Sequence, residues 1–311
     1  MKKIYTLIIF IFITQLSFAQ GQAGSLFLSI NPGAKSSGMG EANIGIADDA
    51  YATYYNPAGL TNLSSKEFSF MHSSYLPNLV DDMSYDFLTF GMPLGEGEAI
   101  GGHFTYLNLG DQTSTDSNNS ELGTFSSYMY ALNVSYAKSL DSNSSVGVSG
   151  KYFFQELAVT GDFDASSSNF AIDLGYFRHN AFDNPNLKLG LILANLGPGV
   201  SFNDGEEDPL PSKLGLGSSL SVMDGKGIAA LDLNYEINDK SMSTHLGFQY
   251  SISKQIFVRA GMLNDSAGDV SFSSLGFGFN LEAISFDLSY LLADEFDPHA
   301  DMLKFSISGS F

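Results

Sequence analysis

Apolar residues in this chain seldom run together; they alternate. Tyr128, Tyr130, Leu132, Val134 and Tyr136 take turns with Ser127, Met129, Ala131, Asn133 and Ser135. The same period of two sets Phe170, Ile172, Leu174 and Tyr176 against Asn169, Ala171, Asp173 and Gly175. It recurs where Leu246, Phe248, Tyr250 and Ile252 face away from His245, Gly247, Gln249 and Ser251, and where Ile284, Phe286, Leu288 and Tyr290 face away from Ser285, Asp287 and Ser289. Side chains alternate across a strand, so each stretch reads as a strand with one apolar and one polar face. After residue 19 there is no run of about 18 apolar residues, which excludes helical membrane spans. Hydrophobic residues still make up 44% of the chain, with 32 glycines. Apolar surface spread thinly over strands of about ten residues fits an all-β antiparallel barrel closed in a bilayer. A soluble β-sandwich is the rival that the length also permits.

Both ends of the chain favour the membrane. Lys2 and Lys3 precede an apolar stretch, and Ser17, Phe18 and Ala19 close it, so residues 1–19 read as a secretory leader cleaved after Ala19. At the other end, Leu303, Phe305, Ile307 and Phe311 share one face and Lys304, Ser306, Ser308 and Ser310 the other. A terminal strand of this kind, ending on Phe311, resembles the signal by which outer-membrane barrels are received by their assembly machinery. With no tryptophan, any interfacial belt must come from the 15 tyrosines and 26 phenylalanines.

From Glu67 onward the pattern predicts about 14 strands, with residues 67–311 as the barrel. Short turns at 93–97, 140–144, 223–226, 253 and 281–282 interleave with longer connections at 109–126, 157–167, 196–211 and 292–301; 179–186 is the longest of the turns. An even strand number places both termini on the periplasmic side. A barrel of about 14 strands is too wide for its own side chains to fill. Residues 20–66 are therefore expected to fold inward as a plug.

That segment carries a motif. Gly38-Met39-Gly40 leads to Asp48-Asp49 and then to Asn56-Pro57-Ala58-Gly59-Leu60. The glycines permit close packing, and Asn56-Pro57 is a turn dipeptide, so these residues read first as scaffold. Their spacing resembles the opening of the PorV/PorQ family, within the wider FadL-like superfamily of 14-stranded barrels. The resemblance implies a type IX secretion component without chemistry of its own. Its partners would be outer-membrane lipid, the translocon or surface-attachment proteins, and the carboxy-terminal domains of secreted cargo. The main alternative is a FadL-type channel for hydrophobic small molecules.

On the polar strand faces stand Asp86, Lys151, Asp173, Asp232, Glu236, Arg259, Asp287 and Lys304, which are expected to line the lumen, with acids pairing to Lys151 and Arg259. The long connections hold much of the acid, including Asp81, Asp82, Asp204, Asp208, Asp294, Glu295 and Asp297, as solvated loops or as sites where divalent cations bridge to surface polysaccharide. The net charge of −20 speaks against nucleic acid as a partner. The absence of cysteine excludes disulfides and thiolate chemistry. The five histidines lack ligand spacing, and neither Gly-x-Ser-x-Gly nor a phosphate-binding glycine loop occurs. No metal, cofactor or catalytic constellation is expected.

Overall fold

A computed structural model describes residues 23–116, 118–160, 163–202, 207–265, 270–293, 297 and 299–311. The leader and the loop acids Asp204, Glu206, Asp294 and Glu295 lie outside the described residues. Fourteen strands form one closed antiparallel barrel: β1 (Glu67–Ser74), β2 (Ser84–Gly95), β3 (Glu98–Thr115), β4 (Glu121–Ser139), β5 (Ser144–Thr160), β6 (Phe163–Arg178) and β7 (Leu187–Leu196), then β8 (Lys213–Val222), β9 (Gly227–Glu236), β10 (Ser241–Ser251), β11 (Ile256–Asp265), β12 (Val270–Leu281), β13 (Ile284–Leu292) and β14 (Leu303–Ser310). Each strand pairs with its sequence neighbours, and β1 closes on β14 with Ser69 opposite Ser308 and Phe70 opposite Ile307. Closure leaves no free edge within the bilayer. Lys66 and Phe311 extend the seam by exchanging backbone hydrogen bonds.

The alternating stretches divide as the pattern requires. On β4, Leu132, Val134 and Tyr136 are exposed outward while Ala131, Asn133 and Ser135 are buried inward. Connections differ from expectation in one sector. Residues 109–126 and 157–167 are not long loops: β3 and β4 run on to leave only 116–120 between them, and β5 and β6 leave 161–162. Strand pairing does not stop where hydrocarbon stops, since Thr- and Ser-rich segments continue a ladder in water, and loss of apolar alternation is no sign of a loop. Strands β3 to β6 hold 16 to 19 residues against 8 to 12 elsewhere. About ten suffice to cross. One side of the barrel therefore rises well above the rest, at the long-hairpin end.

Residues 23–66 fill the lumen as an amino-terminal plug. Two four-residue helices, α1 (Ala34–Ser37) and α2 (Ala52–Tyr55), and 3-10 turns at Leu26–Ser29 and Pro57–Asn62 are joined by buried coil. Toward β1–β6 the plug makes a conventional apolar core: Phe27, Leu28, Tyr51, Tyr54 and Tyr55 pack with Met71, Tyr85, Phe87, Leu107 and Phe153. Tyr51 stacks on Phe87 at 5.6 Å, and Phe27 meets Phe153 edge-on at 6.3 Å. The inner wall is thus more aromatic here than its polar parity implied. The plug leaves β1 at the short-turn end and reaches the opposite end, where the Gly24 amide donates to the Pro209 carbonyl and the Gln155 amide group to Ser25 Oγ. The barrel's own ends, Lys66 and Phe311, share a side, but the start of the described chain does not share it.

Candidate functional site: the plugged lumen

The family motif is where plug backbone meets wall backbone. Gly40 takes φ +63°, a left-handed conformation that favours glycine. Its amide donates to Ser274 Oγ at 3.1 Å, and its carbonyl accepts from His245 Nδ1 at 2.9 Å, leaving His245 Nε2 to accept from the Asn234 amide. The wall opposite is Gly261, where a Cβ would stand 1.9 Å from the Gly40 nitrogen. Gly38 packs on Gly276, where a Cβ on Gly38 would stand 2.8 Å from the Gly276 Cα. Three and four residues beyond Gly40, the amides of Asn43 and Ile44 donate to Asp232 Oδ2, both at 2.7 Å.

The second half of the motif docks on β5 and β6. Asn56 is fully buried; its Oδ1 accepts from the Ala58 amide and its Nδ2 donates to the Tyr176 carbonyl at 3.0 Å. Pro57 opens the 3-10 turn, the Ala58 carbonyl accepts from Ser145 Oγ, and Gly59 backs onto the Ala47 carbonyl. Asp48 and Asp49 turn inward rather than to a partner: both accept from Lys35 Nζ, at 2.8 and 2.9 Å. Burial pulls the Lys35 ammonium down, but Asp48 and then Asp49 more than reverse this and hold it above the ordinary lysine value. Burial raises Asp48, and Lys35 outweighs it to hold the carboxyl low.

The lumen charges form discrete pairs. Lys151 lies 3.0 Å from Asp173. Arg259 donates to Asp287 at 2.6 Å and to Gln249 at 2.7 Å, and Lys304 meets Glu41 at 3.1 Å. Glu236 lines a cavity at the long-hairpin end. Asp86 is the exception. Tyr85 and Phe87 take the inward positions of β2 against the plug, which turns Asp86 outward, where it pairs with His72 of β1 at 2.7 Å. Phe305 and Phe311 are exposed on the outer wall; Phe311 packs 6.2 Å from Phe68 with the Lys66 ammonium 5.9 Å over its ring.

Among the described residues, two cavities of about 280 Å³ each flank the plug. One, at the long-hairpin end, sets Leu263, Phe272, Leu291 and Met302 against Glu41, Lys213, His245 and Lys304. The other, at the short-turn end, is lined by Lys35, Asp49, Glu67, Arg259 and Asp287 among others. They share no lining residue. Among the described residues no group of three His, Asp or Glu side chains is arranged to hold a metal ion.

Glu41 makes the plug's seating pH-dependent. Burial pushes its carboxyl up, yet Lys304, His245 and the Asn31 amide outweigh burial and hold it below the ordinary glutamate value of 4.5. A carboxyl lowered by folding stabilises at every pH above its unfolded value, and the contribution disappears as pH falls through the folded one. The part of the plug's protease protection that Glu41 supplies is expected to be lost only below about pH 4.5; in Glu41→Gln the rise in cleavage below that pH should diminish.

No curated protein sequence matches this chain. Among solved structures it is similar to the Ralstonia pickettii toluene transporter TbuX, at 14% identity over 90% of this chain and 98% of that one, with a TM-score of 0.64. It is similar also to the Pseudomonas putida toluene transporter TodX, at 13% identity over 89% and 96% with a TM-score of 0.58. A Pseudomonas aeruginosa FadL homologue matches at 11% identity over 90% and 98%, with a TM-score of 0.58. At such identities the likeness is one of fold, that of FadL-like outer-membrane barrels. The family model described as type IX secretion system protein PorV matches residues 20–244, and with the motif and the plugged barrel both in place, this chain belongs to the PorV family of outer-membrane proteins.

Proposed function

We propose that this protein is a non-enzymatic, protein-binding component of type IX secretion in the outer membrane, which receives cargo through its carboxy-terminal domain or joins the surface-attachment complex. Residues 1–19 act as the leader, 20–66 as the plug and 67–311 as the barrel, whose short-turn end faces the periplasm. Phe305 and Phe311 present the terminal strand to the barrel assembly machinery. The observation that carries the reading is a lumen filled by backbone-to-backbone packing, whose two flanking cavities share no lining residue among the described residues. A barrel so filled offers its surface rather than its bore. The apolar side of the long-hairpin cavity favours a second reading, a channel for hydrophobic small molecules.

Deleting the gene separates the two. Loss of secreted and surface-attached proteins bearing type IX carboxy-terminal domains is the expected result. Intact secretion together with impaired uptake of a hydrophobic compound would reverse the ranking.

A further inference from the structure

Above the membrane-crossing part of the wall, the tall strands part into two hairpins. The β4–β5 ladder runs from Ser139↔Ser145 to Tyr128↔Glu156 and ends there. Beyond that point β4 is paired with β3 alone, from Asp111↔Ser126 to Thr115↔Glu121, and β5 with β6 alone. Two bulges at one height turn the hairpins apart. Leu109 and Gly110 of β3 stand against the single residue Ser127, and Leu157 breaks the β5–β6 register. Bulges bend and twist the strand that carries them. Residues 123–126 of β4 therefore have one regularly paired edge and one open edge, a condition that folded proteins ordinarily cover or blunt.

A third bulge, at Leu122 beside Gly123 with φ +145°, bounds this segment on the tip side, and Ser127 Oγ, donating to the Leu157 carbonyl, bounds it on the membrane side. It holds no proline and no lysine, and Leu122 is 67% exposed. An open edge presents amides and carbonyls at strand spacing, which only another extended chain can match in full. The charge around it narrows the choice. Between Lys66 and Lys138 the sequence contains no lysine or arginine, whereas Asp81, Asp82, Asp111, Asp116 and Glu121 all fall in that interval at the long-hairpin end. A second copy of this chain would bring like charge against like; a basic strand would be drawn in.

We propose that the open edge of β4, residues 123–126, docks an extended strand from a partner protein, one that alternates apolar residues with lysine or arginine. Thr124, on the outward face, and the exposed Leu122 at the bulge beside it meet its apolar residues, and Asp116 and Glu121 meet its basic ones. Under the secretion reading, on which this identification alone rests, the partner is the cargo domain.

The probe is a labelled peptide of about nine residues alternating valine and lysine, a length that spans the open edge, titrated onto the full chain in nanodiscs. Binding is expected to weaken at least about tenfold when alternate amides of the peptide are N-methylated, and to vanish when its lysines become glutamates. Because the chain has no cysteine, Thr124→Cys should form a disulfide with a cysteine-bearing peptide, whereas Thr113→Cys, on the neighbouring strand, should not. Heat-modifiable gel mobility reports that each variant is folded. Equal affinity for the N-methylated peptide, equal cross-linking at position 113, or Thr124→Cys dimers in place of peptide adducts would each overturn the proposal. If the peptide docks as described but Asp116→Lys with Glu121→Lys abolishes docking and leaves cargo secretion intact, the edge stands and the link to secretion falls. If deletion of the gene stops secretion while the peptide never binds, the edge alone falls.

Discussion

Gly261→Val is expected to unseat the plug. A Cβ on β11 at this point would stand 1.9 Å from the Gly40 nitrogen and 2.2 Å from the Met39 carbonyl carbon, so the obstacle is backbone and not the tip of a flexible side chain. The plug cannot rotate away, because Gly40 is itself held at φ +63° with β10 and β11 backbone close around it. Overpacking a core that can adjust costs about 1–3 kcal/mol, and a contact this short between two backbones exceeds what adjustment absorbs. In intact outer membranes, residues 23–66 should become open to protease, and the purified variant should conduct ions across a planar bilayer while the parent stays closed. Gly150→Val is the control, since a Cβ there meets nothing within 4 Å. A Gly261→Val protein with a protected plug and no conductance would show that the motif glycines do not seat it.

The second large effect is expected at Lys151. Asp173 is 0% exposed; its Oδ1 accepts from the Asn195 amide at 2.8 Å and lies 3.0 Å from Lys151 Nζ, and its Oδ2 has no hydrogen-bond partner among the described residues. Lys151→Met leaves a buried carboxylate with no cation, which costs about 3–5 kcal/mol when a partner is removed from such a pair. Lys151→Met with Asp173→Asn should recover most of that loss, because the amide oxygen still accepts from Asn195 and no charge is left buried. Urea unfolding of the folded barrel in micelles reads both. A double variant no more stable than Lys151→Met alone would mean that the pair is not coupled. Replacing Arg259 by methionine should act in the same direction through Asp287, with a smaller effect because that pair is less deeply enclosed.

The bilayer explains why so much of the barrel was legible. Hydrocarbon admits no polar face, so Leu132 and Val134 had to alternate with Asn133 and Ser135, and the start of β1 at Glu67 follows from where that alternation begins. Where hydrocarbon ends, the rule lapses. The tips of β3–β6 carry no alternation for that reason and look like loops in the sequence, and polarity alone sets Asp86 on the lumen face. Near a rim an outward acid is solvated and free to pair with His72, and the inward positions of β2 go to Tyr85 and Phe87 because the plug presents Tyr51 and Tyr54 to them.

The candidate site was legible only from one side. The motif picked out Gly38, Gly40 and the Asn56–Gly59 turn, but not the wall glycines that receive them, since those partners lie some 90 to 240 residues away along the chain. One signal was available. Gly175, Gly217, Gly247 and Gly261 occupy lumen-facing positions at mid-strand, and a glycine inside a strand marks a place where another backbone comes close. The tie from Lys35 to Asp48 and Asp49 carried no comparable mark, because it depends on how the coil between α1 and α2 folds back.

Lys66 belongs at once to the root of the plug and to the last rung of the seam, through its two backbone bonds with Phe311. Whatever zips β1 to β14 at the end of insertion therefore fixes the cork and the cask in one stroke. Until that seam is zipped, the root of the plug lacks the two backbone hydrogen bonds that tether it to the wall.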